Sequence, residues 1–261
     1  MSDGVYTDIR VERDGPVVWV TIDRADAGNT FRRETTLELA HAFREIRDSA
    51  DLRAVVLTGS GDKFFCVGGE KSQQDTFDSS AVLPIVDVYE LIDAVPKPVI
   101  AAVNGYAVGG GNVLHTVCDL TVASEHAIFR QVGPAMGSFD SGYGTWYLEA
   151  TIGRKRAKEM WYLNAKYTAA EAQAMGLVNE VVPHERLHQR AGELAATLCE
   201  RGPLAIAGLK AAFSAKHTGV VGQARIAHDQ LLTRYLQSEE ARELSTAFKE
   251  RRPPDPGAFN R

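Results

Sequence analysis

Cysteine is scarce in this chain. The 261 residues include three cysteines, Cys66, Cys118 and Cys199, and no two of them are spaced as Cys-x-x-Cys. An odd and scattered set argues against a disulfide framework and against a structural zinc site. We therefore expect a reducing, cytoplasmic location, and we interpret each cysteine as buried packing rather than as a nucleophile.

Long apolar runs and an excess of basic residues are also missing. No run approaches the roughly 18 residues that cross a bilayer. Residues 1–4 (Met-Ser-Asp-Gly) lack the basic flank and the apolar stretch of a signal peptide. The net charge is −5, with 29 lysines and arginines against 34 aspartates and glutamates. We expect neither a membrane nor a nucleic acid as a partner.

The first half of the sequence alternates strand patterns with helix patterns. Apolar runs predict buried strands at 17–22, 54–58 and 99–103, and amphipathic patterns predict helices at 33–48 and 82–93. This alternation predicts a parallel sheet with right-handed crossovers. The chain is long enough for one large α/β domain with a smaller appendage.

The second half is predicted to be almost entirely helical. The predicted helices span 154–164, 168–175, 184–200, 203–216 and 222–249. The proline-rich tail that follows cannot continue a helix. We place the domain boundary near residue 200, which gives an α/β core of residues 1–200 and a helical region of residues 201–261.

Two glycine turns are candidate anion sites. The stretch 104–115 (Asn-Gly-Tyr-Ala-Val-Gly-Gly-Gly-Asn-Val-Leu-His) follows a predicted strand and leads into a helical pattern. Its glycines therefore lie where free N–H groups and the helix dipole favour an anion. The stretch 64–70 (Phe-Phe-Cys-Val-Gly-Gly-Glu) is a second such turn. For either turn alone, glycines that only permit close packing are the alternative, but together the turns predict two donors to one oxygen.

These turns belong to a longer resemblance. With Cys118-Asp119-Leu120 and the stretch 174–179 (Ala-Met-Gly-Leu-Val-Asn), they resemble the crotonase (enoyl-CoA hydratase/isomerase) superfamily from about residue 8 onward. The resemblance implies an α/β fold with a ββα spiral core and a helical C-terminal trimerisation region. It implies a CoA-thioester substrate, no tightly bound cofactor, and a homotrimer or a hexamer of two trimers. It also implies Gly69 and Gly110 as the oxyanion N–H donors that stabilise a thioester enolate.

The proton-transferring glutamates of the family's hydratases are missing. Val113 and Gly133 occupy the matching positions, so we do not expect simple hydration of an enoyl-CoA. The stretch 131–144 instead resembles the branch of 1,4-dihydroxy-2-naphthoyl-CoA synthase and 2-ketocyclohexanecarboxyl-CoA hydrolase. That branch implies a catalytic carboxylate at Asp140 and a hydroxyl at Ser138.

The residues by themselves leave alternatives for these side chains. Asp140 lies in a Gly/Ser-rich loop, which favours a cap on a helix that begins near Gly142, whereas the branch motif favours catalysis. Ser138 lacks the Gly-x-Ser-x-Gly elbow of a triad nucleophile. The tyrosine that assists the enolate in this branch aligns with Leu236. Tyr235 lies one residue earlier, about 100° away on a helix, and replaces it only if the register shifts.

The resemblance also implies contacts to the substrate and its coenzyme A. Arg32 matches a phosphate-binding arginine, with a solvated basic residue at a helix start as the alternative. The segment that holds Gln131 and Gly133 binds bicarbonate in some members, so bicarbonate is a further candidate ligand. The other implied contacts are Asn29, Val67, Glu70 and Trp161. Considered by itself, the position of Trp161 on a predicted helix favours a core residue.

Two activities of the branch fit the sequence. One is hydrolytic ring opening of 2-ketocyclohexanecarboxyl-CoA, and the other is the Dieckmann-type ring closure of a naphthoyl-CoA synthase. The short segment between Glu70 and Pro96 favours the hydrolase, as do the stretches 111–114 and 132–137. Arg130, where the branch usually has glycine, departs from both. Another acyl-CoA hydratase or isomerase of the superfamily, or a non-catalytic CoA-binding protein on the same fold, is the alternative.

Overall fold

A computed structural model of the chain describes residues 6–70, 85–140, 142–226, 233–255 and 257. Its strands, in chain order, are β1 (Ile9–Asp14), β2 (Val17–Ile22), β3 (Ala54–Gly59), β4 (Phe64–Cys66), β5 (Val99–Val103), β6 (Tyr106–Val108), β7 (Leu120–Ser124), β8 (Ile128–Arg130), β9 (Lys166–Thr168) and β10 (Glu180–Val182). The strands form a six-stranded sheet in the order β1-β2-β3-β5-β7-β10 and a four-stranded sheet in the order β4-β6-β8-β9. Neighbouring strands are parallel except for the β1–β2 and β8–β9 pairs.

Helices connect the strands and make up most of the C-terminal third. They are α1 (Arg33–Asp48), α2 (Ile85–Ala94), α3 (Gly110–Val117), α4 (Gly133–Met136), α5 (Tyr143–Ile152), α6 (Arg154–Leu163), α7 (Ala169–Ala174), α8 (Leu187–Cys199), α9 (Pro203–Ile226), α10 (Thr233–Leu236) and α11 (Glu239–Glu250). The predicted fold class, an α/β protein with a helical C-terminal end, is confirmed.

The central strands of the six-stranded sheet are buried on both faces. Val18 and Val20 belong to the apolar cluster that contains Phe43 of α1. Trp19, which points the other way along the same strand, belongs to the cluster that contains Leu187 of α8. A parallel strand covered on both faces needs a continuous apolar run, and all six residues of β2 are buried. This is why unbroken apolar runs predicted the central strands correctly.

The second half differs from its prediction in two places. The short strands β9 and β10 lie between the predicted helices, where no strand was predicted, and at three residues each they are too short to show a period of two. The single helix predicted at 222–249 is wrong. A new helix, α11, begins after Ser238, whose hydroxyl accepts a hydrogen bond from the N–H group of Ala241.

A buried ion pair fastens α9 to the core. Lys210 is buried, and its ammonium group donates to the carboxylate of Asp119 at 2.7 Å and to the carbonyl oxygens of Ile92 and Lys97. The predicted boundary at residue 200 falls in the short turn between α8 and α9. Independent folding on either side of that boundary stays a prediction.

Candidate active site

The first glycine turn follows β4 and pairs with the loop before α1. Phe31 donates its N–H to the carbonyl oxygen of Gly68 at 3.0 Å, and Glu70 donates its N–H to the carbonyl oxygen of Phe31 at 2.9 Å. Successive N–H groups along an extended segment point to opposite sides, so the N–H of Gly69 faces away from Phe31. Among the described residues it has no hydrogen-bond acceptor.

The second glycine turn joins β6 to α3. Gly109 has φ 57°, in the left-handed region, and donates its N–H to the carbonyl oxygen of Arg130. Gly110 is the first residue of the helix, so its N–H has no acceptor within the helix. It also has none elsewhere in the part of the chain that the structure describes.

The two turns are in contact. A Cβ placed on Gly68 would lie 3.2 Å from the nitrogen of Gly110. A Cβ on Gly111 would overlap the carbonyl oxygen of Cys66, so only glycine allows this helix to approach β4 so closely. Two free N–H groups, one on each side of this contact, can donate to one oxygen atom. The positive end of the α3 dipole favours negative charge on that oxygen.

Asp140 caps the helix that follows it. One oxygen of its carboxylate, Oδ1, accepts hydrogen bonds from the N–H groups of Gly142 at 3.1 Å and Gly144 at 2.9 Å, at the start of α5. The capping interpretation is therefore confirmed. Among the described residues, Oδ2 has no hydrogen-bond donor, so capping leaves one carboxylate oxygen for other chemistry.

Trp161 packs against this loop. Its side chain is buried, and its indole N–H donates to the carbonyl oxygen of Gly144 at 2.9 Å. A Cβ on Gly144 would lie 2.9 Å from Asp140 Cγ and 3.0 Å from the indole ring of Trp161. The N–H group of Trp161 is thus used to hold the loop of Asp140, and the expected substrate contact of Trp161 stays a prediction.

Ser138 precedes Phe139 in the chain, and Tyr235 packs on the ring of Phe139. The N–H of Ser138 donates to the carbonyl oxygen of Gly133 at 2.9 Å, and the ring centroids of Tyr235 and Phe139 are 5.1 Å apart. The hydroxyl of Tyr235 donates to Glu240 at 3.1 Å. Burial, followed by that carboxylate, raises the pKa of Tyr235 to about 12. The structure brings Tyr235 to the segment of Ser138, with its hydroxyl directed to α11.

Gln131 is buried with an unsatisfied amide. Its side-chain nitrogen and oxygen have no hydrogen-bond partner among the described residues, and only 1% of the residue is exposed. Its main-chain oxygen accepts from the side chain of Asn164, and Arg130 donates to the carbonyl oxygen of the same asparagine. Arg130 therefore fastens β8 to the end of α6. A Cβ on Gly133 would overlap the carbonyl oxygen of Ser138, which explains a glycine at that position.

The side chain of Asn29 holds its own loop. It is fully buried and donates to the carbonyl oxygens of Ser60 at 2.9 Å and Phe64 at 2.7 Å, while its oxygen accepts from the N–H of Arg24. Both ends of the amide are used within the protein, and the expected role of Asn29 as a substrate contact stays a prediction. Val67 donates its N–H to Gly28 of this loop, which ties the loop to the first glycine turn.

The charged residues of this region are paired with one another. Arg32 donates to both oxygens of Asp8 at 2.8 Å, which leaves one guanidinium nitrogen, Nη1, for a phosphate. The hydrogen bond from Arg32 holds the pKa of the Asp8 carboxyl below its usual value. Arg24 donates to Glu70 at 2.8 Å and to the carbonyl oxygen of Thr30 at 2.6 Å. The predicted phosphate contact of Arg32 stays a prediction, and its salt bridge to Asp8 was not visible in the sequence.

The residues that replace the hydratase glutamates cannot transfer protons. Val113 is buried within α3, and Gly133 has no side chain. His115, two residues beyond Val113, is fully buried between Asn112 and Thr121, and burial lowers its pKa to about 3. It is a packed helical residue. In the described part of the chain, no cluster of side chains could hold a metal ion.

Two residues that contact the second glycine turn were missed in the sequence. Phe31 and Tyr89 both lie against Gly110, where a Cβ would lie 2.5 Å from the ring of Phe31 and 3.2 Å from the hydroxyl oxygen of Tyr89. Tyr89 comes from α2, whose helical pattern alone carries no sign of this contact. The one available signal was that Tyr89 is a large side chain with a polar group on a helix face predicted to be buried.

Paired backbone donors at two glycine turns, next to a carboxylate on an α/β scaffold, are typical of enzymes that activate an acyl carbonyl. The chain belongs to the enoyl-CoA hydratase/isomerase family, whose sequence model matches residues 12–257. Its fold is the crotonase fold, as the sequence resemblance implied. No helix in the described residues is long and apolar enough to cross a membrane.

Solved structures of the family resemble the whole chain. An enoyl-CoA hydratase from Mycobacterium avium subsp. paratuberculosis K-10 is 28% identical with a TM-score of 0.85, over 95% of this chain and 98% of that one. An enoyl-CoA hydratase from Bacillus anthracis is 31% identical with a TM-score of 0.75, again over 95% and 98%. An enoyl-CoA hydratase/isomerase from Pseudoalteromonas atlantica T6c is 25% identical with a TM-score of 0.86, over 95% and 99%.

Proposed function

We propose that this protein hydrolyses a carbon–carbon bond of a cyclic β-keto acyl-CoA, with 2-ketocyclohexanecarboxyl-CoA as the substrate. The observation that carries the proposal is the arrangement of the two glycine turns together with what replaces the hydratase glutamates. Two free N–H groups can hold a thioester oxygen. Val113 and Gly133 exclude the hydratase proton transfers, and one carboxylate oxygen of Asp140 has no donor among the described residues.

The reaction follows from these groups. Asp140 accepts a proton from a water molecule, whose oxygen attacks the ring ketone. The tetrahedral adduct collapses with cleavage of the bond between the ketone carbon and the α-carbon. The electron pair moves to the α-carbon, and the resulting thioester enolate is stabilised by the N–H groups of Gly69 and Gly110. Asp140 returns the proton to the α-carbon, and the product is an open-chain acyl-CoA with a new terminal carboxylate.

Ser138 and Tyr235 are the remaining catalytic candidates. Ser138 is two residues from Asp140, and we propose that its hydroxyl orients the ring ketone or the attacking water. Phe139 lies between Ser138 and Asp140 in the sequence, and the ring of Tyr235 packs on it. Rotation of α10 by one register step would release the Tyr235 hydroxyl from Glu240 towards the substrate.

We also propose a small oxyanion such as bicarbonate as a ligand of Gln131. A buried amide with neither donor nor acceptor satisfied costs free energy, so a partner of matching polarity is favoured there. Bicarbonate offers both donor and acceptor oxygens, and the main chain of Gly133 lies two residues away. When bound, the ion would supply the charge of a carboxylate near the reacting centre. Trp161 would not hold it with its N–H, which Gly144 already accepts.

The named activities of the relatives make hydration of an enoyl-CoA the main competing function. Hydration requires groups that protonate the α-carbon and activate water, and Val113 cannot do either. Ring closure by a naphthoyl-CoA synthase is the second competitor, because it uses the same Ser-Phe-Asp segment in the synthetic direction. The substrate assay separates all three reactions.

Turnover of 2-ketocyclohexanecarboxyl-CoA tests the proposal directly. We expect the wild type to form a product heavier by one water, and Asp140→Asn to lose at least about a hundredfold in kcat because the proton acceptor is gone. The matched control is Asp62→Asn, since the Asp62 side chain is 94% exposed and outside the site. The same assay with added bicarbonate tests the proposed ion site at Gln131.

Full activity of Asp140→Asn would contradict the mechanism. Hydration of crotonyl-CoA by the wild type, without ring opening, would instead support the hydratase. Cyclisation of the acyclic precursor of 1,4-dihydroxy-2-naphthoyl-CoA would support the synthase. Coenzyme A binding without turnover of any of the three substrates would favour a non-catalytic protein.

We further propose that copies of the chain assemble through α9. Leu204, Leu209 and Phe213 are exposed on this helix, at 88%, 58% and 71% of their surface. Three large apolar side chains on one exposed helix are typical of a covered interface. A trimer, or a hexamer of two trimers, is the assembly that the family resemblance implies.

A further inference from the structure

Gly110 lies against two aromatic side chains. The ring of Phe31 and the hydroxyl of Tyr89 both border the space that a Cβ on Gly110 would occupy. That hydroxyl donates to the carbonyl oxygen of Gly110 at 3.3 Å. Only 1% of Tyr89 is exposed, so the contact is shielded from water.

Tyr89 also contacts the other half of the site. Its ring centroid is 5.6 Å from that of Tyr143, the first residue of α5. Tyr143 lies between Gly142 and Gly144, whose N–H groups donate to Asp140. The side chain of Tyr89 therefore bridges the second glycine turn and the start of the helix that Asp140 caps.

The hydroxyl of Tyr89 acts as a hydrogen-bond donor and not as a base. Burial, with the nearby Asp140 and Cys66, raises the pKa of Tyr89 well above its ordinary value. The hydroxyl therefore keeps its proton at physiological pH. Because this proton is directed to the carbonyl oxygen of Gly110, the side chain can orient that residue without exchanging protons with a substrate.

A run of three glycines needs such an anchor. Glycine has more backbone freedom than any other residue, and the segment 109–111 contains three of them in succession. An oxyanion donor must be held within about 0.5 Å and 10–20° of its productive position. The N–H of Val113 already holds the carbonyl of Gly109, and the hydroxyl of Tyr89 adds a second restraint on the carbonyl of Gly110 at the start of α3.

We propose that Tyr89 is a positioning residue that orients the N–H of Gly110 towards the thioester oxygen. The proposal rests on the proposed function only in requiring that a CoA thioester binds at the two glycine turns. Loss of the Tyr89 hydroxyl should weaken the polarisation of the thioester carbonyl, because polarisation depends on the direction of the N–H group. Substrate affinity does not depend on that direction and should change little.

The test compares wild type with Tyr89→Phe, which removes the hydroxyl and keeps the ring. The probe is cyclohexanecarboxyl-CoA labelled with ¹³C at the thioester carbonyl, followed by isotope-edited infrared spectroscopy. We expect the wild type to shift the carbonyl band to lower wavenumber on binding and the variant to shift it clearly less. We also expect kcat to fall about tenfold in the variant, with KM changed by less than about threefold.

Tyr167→Phe is the matched control, because Tyr167 is another buried tyrosine, on β9, outside the site. It should retain the wild-type band shift and kcat, and thermal unfolding checks that both variants fold. A full band shift in Tyr89→Phe overturns the inference. A wild type that binds the probe without any band shift also overturns the inference. It would further show that the two N–H groups do not donate to the thioester oxygen.

The probe lacks the ketone and cannot be cleaved. A wild type that shifts its carbonyl band but does not open the ring of 2-ketocyclohexanecarboxyl-CoA would therefore disprove the proposed reaction while leaving the result for Tyr89 valid. The two proposals fail through different measurements.

Discussion

Each of the three glycines at 109–111 is required for a different physical reason. Gly109 has a positive φ, Gly110 makes room for the ring of Phe31, and Gly111 lies against the carbonyl oxygen of Cys66. The glycines themselves were visible in the sequence as a candidate anion site. Their partners were not, because Phe31 and Cys66 are distant in the chain and approach only when the two sheets form.

A substitution at Gly111 tests the approach of α3 to β4. In Gly111→Ala the new methyl group would overlap a main-chain oxygen, which cannot rotate away as a side chain can. We expect a loss of about 1–3 kcal/mol in the free energy of unfolding, measured with urea, and a loss of turnover from displaced donors.

Gly208→Ala is the control for that substitution. Gly208 lies within α9, and a Cβ there meets nothing within 4 Å. Alanine is the better helix former, so this variant should be as stable as the wild type or more stable, by up to about 1 kcal/mol. Equal stability of the two alanine variants would mean that the contact with Cys66 can relax.

At the scale of elements, the sequence predicts the strands and helices that are determined by a local pattern of apolar residues. Unbroken apolar runs gave the central strands, and the apolar period of α1 gave its bounds correctly at 33–48. β9 and β10 were missed because three-residue strands exist through pairing with distant neighbours rather than through their own pattern. Long-range polar contacts, such as the salt bridge of Asp8 with Arg32, leave no trace in local periodicity.

That salt bridge joins the residue before β1 to the start of α1 and makes stability depend on pH. Because the pKa of Asp8 is lowered in the folded state, its contribution is present at neutral pH and is lost as pH falls through the folded pKa. We expect Asp8→Asn to lower the urea midpoint at pH 7. The difference from wild type should narrow below about pH 4, where the carboxyl of the unfolded chain becomes protonated.

Asp51→Asn serves as the comparison at the surface. The Asp51 carboxylate is 76% exposed and lies 3.7 Å from Arg13, an arrangement that contributes little in water. Its urea midpoint should follow the wild type at every pH. A difference between Asp8→Asn and wild type that is the same at pH 7 and pH 3 would show that the charge of Asp8 does not stabilise the fold.

At the scale of the whole molecule, the C-terminal helices depend on the core for polar partners. Lys210 finds its acceptors 91 to 118 residues earlier in the chain, on Asp119, Lys97 and Ile92. Ser214, on the same helix, donates to Asp93 at 2.9 Å. These contacts fix which face of α9 meets the core, and Leu204, Leu209 and Phe213 stay exposed around the rest of the helix.

If copies of the chain cover these exposed apolar side chains, a charge placed among them should prevent assembly. Phe213→Glu would bury an unpaired carboxylate in an apolar interface, at a cost of several kcal/mol for each site. We expect light scattering to give the mass of a trimer or hexamer for wild type and of a monomer for the variant. Leu37→Glu, at a 48% exposed leucine on α1, should keep the wild-type mass. A monomeric wild type, or an intact assembly in Phe213→Glu, would show that copies do not meet at Phe213.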